Sequence, residues 1–146
     1  MALTATQLRN HLDTDPDARG YAALITAGDH AALTDLMNAP NFGTVQDFRF
    51  TAEQLHAAID PAELSALSAP QQTALQILFS VIASEGVLDA SENSPGRNWI
   101  LLIFGTTSVT VSALSTTAAR PGTYAEVRAG VGTVVTIDDI REALAL

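Results

Sequence analysis

Three aspartates at alternate positions, Asp13, Asp15 and Asp17, form the pattern in this chain that comes nearest to a cation site. A calcium loop needs oxygen ligands at its first, third and fifth positions, a glycine at its sixth and a bidentate glutamate at its twelfth. Here Pro16 occupies the fourth position, Ala18 the sixth and Leu24 the twelfth, so the loop cannot close around an ion. Helix capping explains these residues better, with Asp15 as an N-cap and Pro16 at the first helical position. The histidines His11, His30 and His56 have no histidine four residues away, and the chain has no cysteine. That leaves no zinc set, and no metal or cofactor is expected. Asp138 and Asp139 are paired carboxylates, but they fall at a helix start, where the helix dipole accounts for them. There is no Gly-x-Ser-x-Gly elbow and no phosphate loop. Gly130-Val-Gly132 is too short for a phosphate cradle and precedes a strand, the wrong order for one. No catalytic residue is expected, and the chain reads as a non-enzyme.

What remains is recognition chemistry. Trp99 adjoins Gly86–Gly96, GVLDASENSPG, a polar stretch rich in turn residues and the segment expected to be mobile or to face a partner. Tryptophan is enriched where interfaces concentrate their binding energy. Trp99 is therefore either an interface anchor or a core residue beneath that loop. The same choice applies to Phe42 and Phe48. With Asn93 and Arg97 from the loop and its far edge, these residues make up the candidate interface: Trp99, Asn93, Arg97, Phe42 and Phe48. Deleting residues 85–98 is expected to leave the fold intact.

Composition narrows the function classes. The chain has 146 residues, of which 47% are hydrophobic, 16% charged and 5% aromatic, and its net charge is −9. Its basic residues are all arginine. A nucleic-acid backbone would be repelled by most of this surface, so no nucleic-acid partner is expected. The longest apolar run, Trp99–Phe104, is far short of a membrane span, and the N-terminal residues carry no basic-then-apolar leader. A soluble protein made in a cytoplasm is expected, with no membrane partner. The length suits one helical domain over residues 1–146.

The elements follow from caps and periodicity. Thr4 and Gln7 fit a capping box ahead of Leu8 and Leu12. A second helix from Pro16 carries Tyr21, Leu24 and Ile25, and Asp29 caps a third bearing Leu33, Leu36 and Met37. Thr44–Phe50 alternates apolar and polar residues as a half-buried strand does. Thr51 and Asp60 cap short helices. Ser68-Ala-Pro-Gln71 opens the most hydrophobic helix, about residues 68–84, where Leu75, Leu78, Phe79 and Ile82 lie on one side and Ile77 and Val81 on the other. Apolar nearly all round, it is expected to be the centre of the bundle. Trp99–Phe104 suits either a buried strand or a helix, and its helical neighbours favour helix. The Thr/Ser/Val-rich 106–119 keeps helical spacing at Val111, Leu114 and Ala118, and Thr123 caps a short helix after Pro121-Gly122.

The C-terminal run Arg120–Leu146 ends in a β-branched stretch, Thr133–Val135, then a helix capped by Thr136. Its pattern, Val135-Thr136 with Ile140 and Leu144, repeats Phe50-Thr51 with Leu55 and Ile59. The repeat suggests that residues 44–50 and 132–136 pair. The expected fold is mainly α, about seven to nine short helices around the 68–84 helix, with one small two-stranded β ribbon.

The opening, TATQLRNHLDTDP followed by AALITAGDHAALTDLMNAPN, resembles the start of a family of small tailed-bacteriophage virion proteins of the neck or tail region. The end resembles that family's closing segment: Tyr124-Ala-Glu-Val127, then Gly132-Thr-Val-Val135, then Thr136–Leu146. Residues 85–119 match it poorly. The resemblance implies a virion structural component, acting through interfaces with other phage structural proteins and with copies of itself. It assigns no catalytic residues. A non-virion assembly chaperone or a small regulatory binding module is the other function considered.

Overall fold

The computed structural model describes residues 2–146 and is mainly helical, with ten helices and four short strands among those residues. In chain order the first half comprises α1 (Ala5–Thr14), α2 (Tyr21–Ala27), α3 (His30–Met37), β1 (Thr44–Gln46), β2 (Arg49–Phe50), α4 (Ala52–Ala58) and α5 (Pro61–Ala66). The second half comprises α6 (Ala69–Glu85), β3 (Leu88–Asp89), α7 (Pro95–Phe104), α8 (Val109–Ala118), β4 (Ala119–Pro121), α9 (Tyr124–Ala129) and α10 (Ile137–Leu144). The chain, read above as one helical domain, divides into two compact units. One is Met1–Val45 with Pro121–Leu146; the other is Gln46–Arg120.

Most helices start where a side chain takes up their unpaired N–H groups. Reciprocal capping boxes join Thr4 to Gln7, Thr51 to Gln54, Ser68 to Gln71, Thr123 to Glu126 and Thr136 to Asp139. Asp29, Asp60, Ser94 and Ser108 cap α3, α5, α7 and α8. The exception is α2, preceded by Gly20 with no side-chain cap. Contrary to the sequence reading, Asp15 does not cap a helix that starts at Pro16. It ends α1 in the left-handed region, at φ 37°. Its carboxylate accepts from the N–H groups of Arg19 and Gly20, each at 2.7 Å, and of Tyr21 at 3.3 Å. The aspartate still satisfies backbone donors, but four to six residues onward, so it gathers a loop and delays α2 to Tyr21.

In the first unit, Leu8, Leu12, Tyr21, Leu33, Met37, Val135 and Ile140 form the core. Thr133–Val135 is not a strand, and the ribbon expected between 44–50 and 132–136 does not form. Val135 N–H donates to Asn38 Oδ1 at 3.0 Å, while Asn38 Nδ2 donates to the Val135 carbonyl at 2.8 Å. A side-chain amide thus fills the place of a neighbouring strand. Gly132 N–H is taken by Glu126 Oε1 at 3.1 Å. These partners take up the Val135 N–H and carbonyl and the Gly132 N–H that a ladder would otherwise have used.

The strand expected over 44–50 is two strands with different partners: β1 pairs with β4, and β2 pairs antiparallel with β3, Phe50 opposite Leu88. The break falls at Asp47, whose carboxylate folds back onto the Arg49 N–H. In the second unit, α6 supplies the core from one side only, through Ala74, Leu75, Leu78 and Ile82. The flank beside Leu78 leaves Ile77 47% and Val81 37% exposed, so the helix is not enclosed all round.

Of the repeated pattern only the cap and the helix behind it recur in each unit: Phe50 lies in a strand and Val135 does not, and Ile59 and Leu144 are half-buried. Phe50, Leu55 and Ala58 are buried after Thr51 as Val135, Ile140 and Ala143 are around Thr136. Asn38→Ala strands the Val135 N–H and carbonyl in a buried position. The expected cost is about 1–3 kcal/mol, measured by urea unfolding followed in far-UV circular dichroism.

Candidate interaction surface

After α6 the chain turns at Gly86, where φ is 85°, and runs through β3 into α7. The turn between them is closed by its own polar groups. Asp89 Oδ1 accepts from Ser91 N–H at 2.9 Å, and Ser94 N–H donates to the Ser91 carbonyl at 3.1 Å. Ser94 Oγ donates to the Asp89 carbonyl at 3.0 Å and accepts from Arg97 N–H at 3.1 Å. Leu88 and Ala90 are buried in the core of the second unit. The 86–96 segment is therefore docked, not a loose polar loop. Deleting 85–98 would remove core residues and the strand paired with β2, so the deletion is not structurally neutral.

Gly96, in the first turn of α7, makes that docking possible. A Cβ there would collide with the Asp89 carbonyl and come within 2.9 Å of a Leu88 methyl. With no side chain in the way, α7 lies directly on β3. Between α6 and α7 this leaves a groove of about 350 Å³. Ile77, Val81 and Trp99 form its apolar sides, and Leu88 its floor. Glu85 and Asp89 contribute carboxylates. Trp99 is 37% exposed, so the core placement considered for it does not hold.

The other candidate residues lie elsewhere. Asn93 is exposed on the turn, with φ 64°, and does not line the groove. Arg97 is half-buried, its guanidinium 5.5 Å from the Phe48 ring. Phe48 packs on the second unit's core, its ring 6.4 Å from that of Phe50. Phe42 belongs to the first unit, where the Arg19 guanidinium lies 3.7 Å above its ring. It also meets His11 and Tyr124 edge-on. Both phenylalanines are half-buried packing residues. Ile77 and Val81 were missed because an all-apolar helix was taken for an enclosed one. Their place on the flank of the Leu75, Leu78 and Ile82 stripe, beside Leu78, was the available signal for an uncovered flank.

Two polar centres lie outside the groove. In the first unit His11 is buried, stacked on Tyr124 at 4.1 Å, with Nε2 3.1 Å from Tyr21 Oη. Burial, aided by the Arg128 and Arg19 charges, lowers its pKa. Burial also pushes the Tyr21 hydroxyl up to about 12. In the second unit Asp47 accepts from Arg49 Nε and Nη2, both at 2.8 Å, and from Arg120 Nε at 3.0 Å. The Arg49 hydrogen bonds, with help from Arg120, pull its pKa down from 3.8 to about 2. Among the described residues no group of three or more His, Asp or Glu side chains is placed to hold a metal ion, and no helix is long and apolar enough to cross a membrane.

No family model matches the chain, and no curated protein or solved structure is significantly similar to it.

Gly96→Ala is expected to cost about 1–3 kcal/mol by overpacking α7 against β3. Urea unfolding followed by the fluorescence of Trp99, the chain's single tryptophan, measures it. For Asp47 the folded pKa is depressed, so its stabilisation is present above about pH 4 and lost as pH falls towards about 2. Asp47→Asn is therefore expected to be less stable than the parent by about 1 kcal/mol near neutrality, after solvent screening. The gap should close between about pH 4 and pH 2 in unfolding curves taken across that range.

Proposed function

We propose that this chain is a structural component of a tailed-phage particle, in its neck or tail, acting through protein–protein interfaces. Its partners on this reading are other phage structural proteins and copies of itself. The observation that carries the proposal is where the phage-like segments lie. Thr4–Pro16, Ala22–Asn41, Tyr124–Val127 and Gly132–Leu146 come from opposite ends of the chain, yet all belong to the first compact unit.

Within that unit the same motifs hold one another. Asn38, of the Asn-x-Pro loop, makes both hydrogen bonds to Val135, the last residue of Gly-Thr-Val-Val. Asp15, of the Asp-Pro step, gathers the N–H groups that lead into α2. Such motifs specify a folding unit, and this supports reading the resemblance as one of structure. The poorly matched stretch 85–119 lies wholly in the second unit, which carries the apolar groove.

A second reading, a non-virion assembly chaperone or small regulatory module, draws support from that groove, since an open apolar cleft also suits transient capture of a segment. Mass spectrometry of gradient-purified particles from the phage that encodes the chain separates the two. A stable stoichiometry of several copies or more per particle is expected. Absence from clean particles would overturn the virion reading and leave the assembly factor.

A further inference from the structure

We infer that the groove between α6 and α7 receives an apolar segment flanked by Lys or Arg from a different protein, and not a second copy of this chain. The inference rests on the chain's acting through protein interfaces. Its first ground is uncovered apolar surface: Ile77, Val81 and Trp99 line one continuous cleft, with Val87 exposed on the turn just beyond α6. A side chain as large as tryptophan, left open beside two aliphatic residues, is the composition of an interface centre.

Its second ground is the charge at the rim. Glu85 and Asp89 line the cleft, and Glu92 is exposed on the turn beside it. The Glu85 side chain makes no hydrogen bond or ion pair with any described residue. Arg49 stands across the strand pair from Asp89 and acts on its charge as well as bonding Asp47, which leaves Glu85 and Glu92 as the open carboxylates here. The rim therefore presents negative charge around an apolar floor, and a complementary occupant brings positive charge at its edges.

This chain is poorly equipped to be that occupant. It carries −9 net charge and no lysine. Arg9, Arg19, Arg49, Arg120 and Arg141 each already face an aspartate. The Arg97 guanidinium lies near the Phe48 ring, which leaves Arg128, beside the exposed Val127, as the one arginine with neither an ion pair nor a ring contact among the described residues. Docking two such chains through this cleft sets like charges together.

The test is selection of a random-peptide display library on the full-length chain, followed by solution titration of the enriched peptides using Trp99 fluorescence. Enriched peptides are expected to combine bulky apolar residues with Lys or Arg and to bind more weakly as salt rises. Val81→Asp is expected to weaken them about tenfold or more, a change of about 1.4 kcal/mol. Glu85→Lys, an exposed charge reversal that leaves the core alone, is expected to weaken them several-fold. Circular dichroism verifies that both variants are folded. Enrichment of acidic or uncharged peptides, binding unaffected by either variant, no enrichment at all, or a dimer of the chain that Val81→Asp dissolves would each overturn the inference. Particle mass spectrometry keeps the two proposals apart. A chain present in particles but lacking this peptide preference sinks the groove alone, and the preference without particle association sinks the virion reading alone.

Discussion

A helix of six to ten residues is mostly ends. Its first four N–H and last four carbonyl groups have no partner within the helix, so a chain built of such helices must satisfy those groups by other means. Nine of the ten helices here are that short. Side chains meet the demand locally through capping boxes, and also over long distances. Glu63 accepts from Val109 and Thr110 N–H at 2.7 and 3.0 Å, capping the start of α8 from α5. Thr110 in turn accepts from Asp60 N–H at 3.0 Å. Asn38 does the same service for Val135, and Asp15 for the approach to α2. Polar side chains at fixed positions thus decide where each short element lies, and the aliphatic core fills in behind them.

This division of labour suits the composition. With charged residues scarce, most are committed to structure: Asp47 is clamped by two arginines, and several other arginines face a nearby aspartate. Isolated pairs of this exposed kind contribute little each. Asp47 differs because its carboxylate also turns the chain from one strand partner to the next. The surface left over is rich in small and aliphatic side chains, which lose little entropy when another protein covers them.

How much of this was legible in the sequence depended on the range of the interaction. Caps are local, and those at Thr4, Asp29, Thr51, Asp60, Ser68, Thr123 and Thr136 stand where the sequence places them. The helical character of the Thr/Ser/Val-rich segment was accessible from its spacing, and that of Trp99–Phe104 only from its helical neighbours. Thr133–Val135 was misread because β-branched residues favour an extended backbone, whereas the sheet also needs a partner strand. Asn38, 97 residues away, had already taken that place. Asp15 was misread because a carboxylate before proline suits an N-cap and a C-terminal turn equally well. The candidate surface was only partly legible. Trp99 was found by residue type, but the uncovered side of α6 was hidden by its own hydrophobicity, which says that a face is apolar and not whether anything covers it.

The path of the chain through the two units has a consequence for its biosynthesis. The first unit is interrupted after Val45 and resumes at Pro121, while the second is one continuous stretch, Gln46–Arg120. As the polypeptide leaves the ribosome, the later-numbered unit has its whole sequence in hand first. The N-terminal helices α1, α2 and α3 must wait for α9 and α10, since Tyr124, Val135 and Ile140 complete their core. Vectorial translation therefore sets an order in which the inserted unit matures ahead of the one that encloses it in sequence. Until α9 and α10 emerge, Leu8, Leu12, Leu33 and Met37 lack the residues that complete their core.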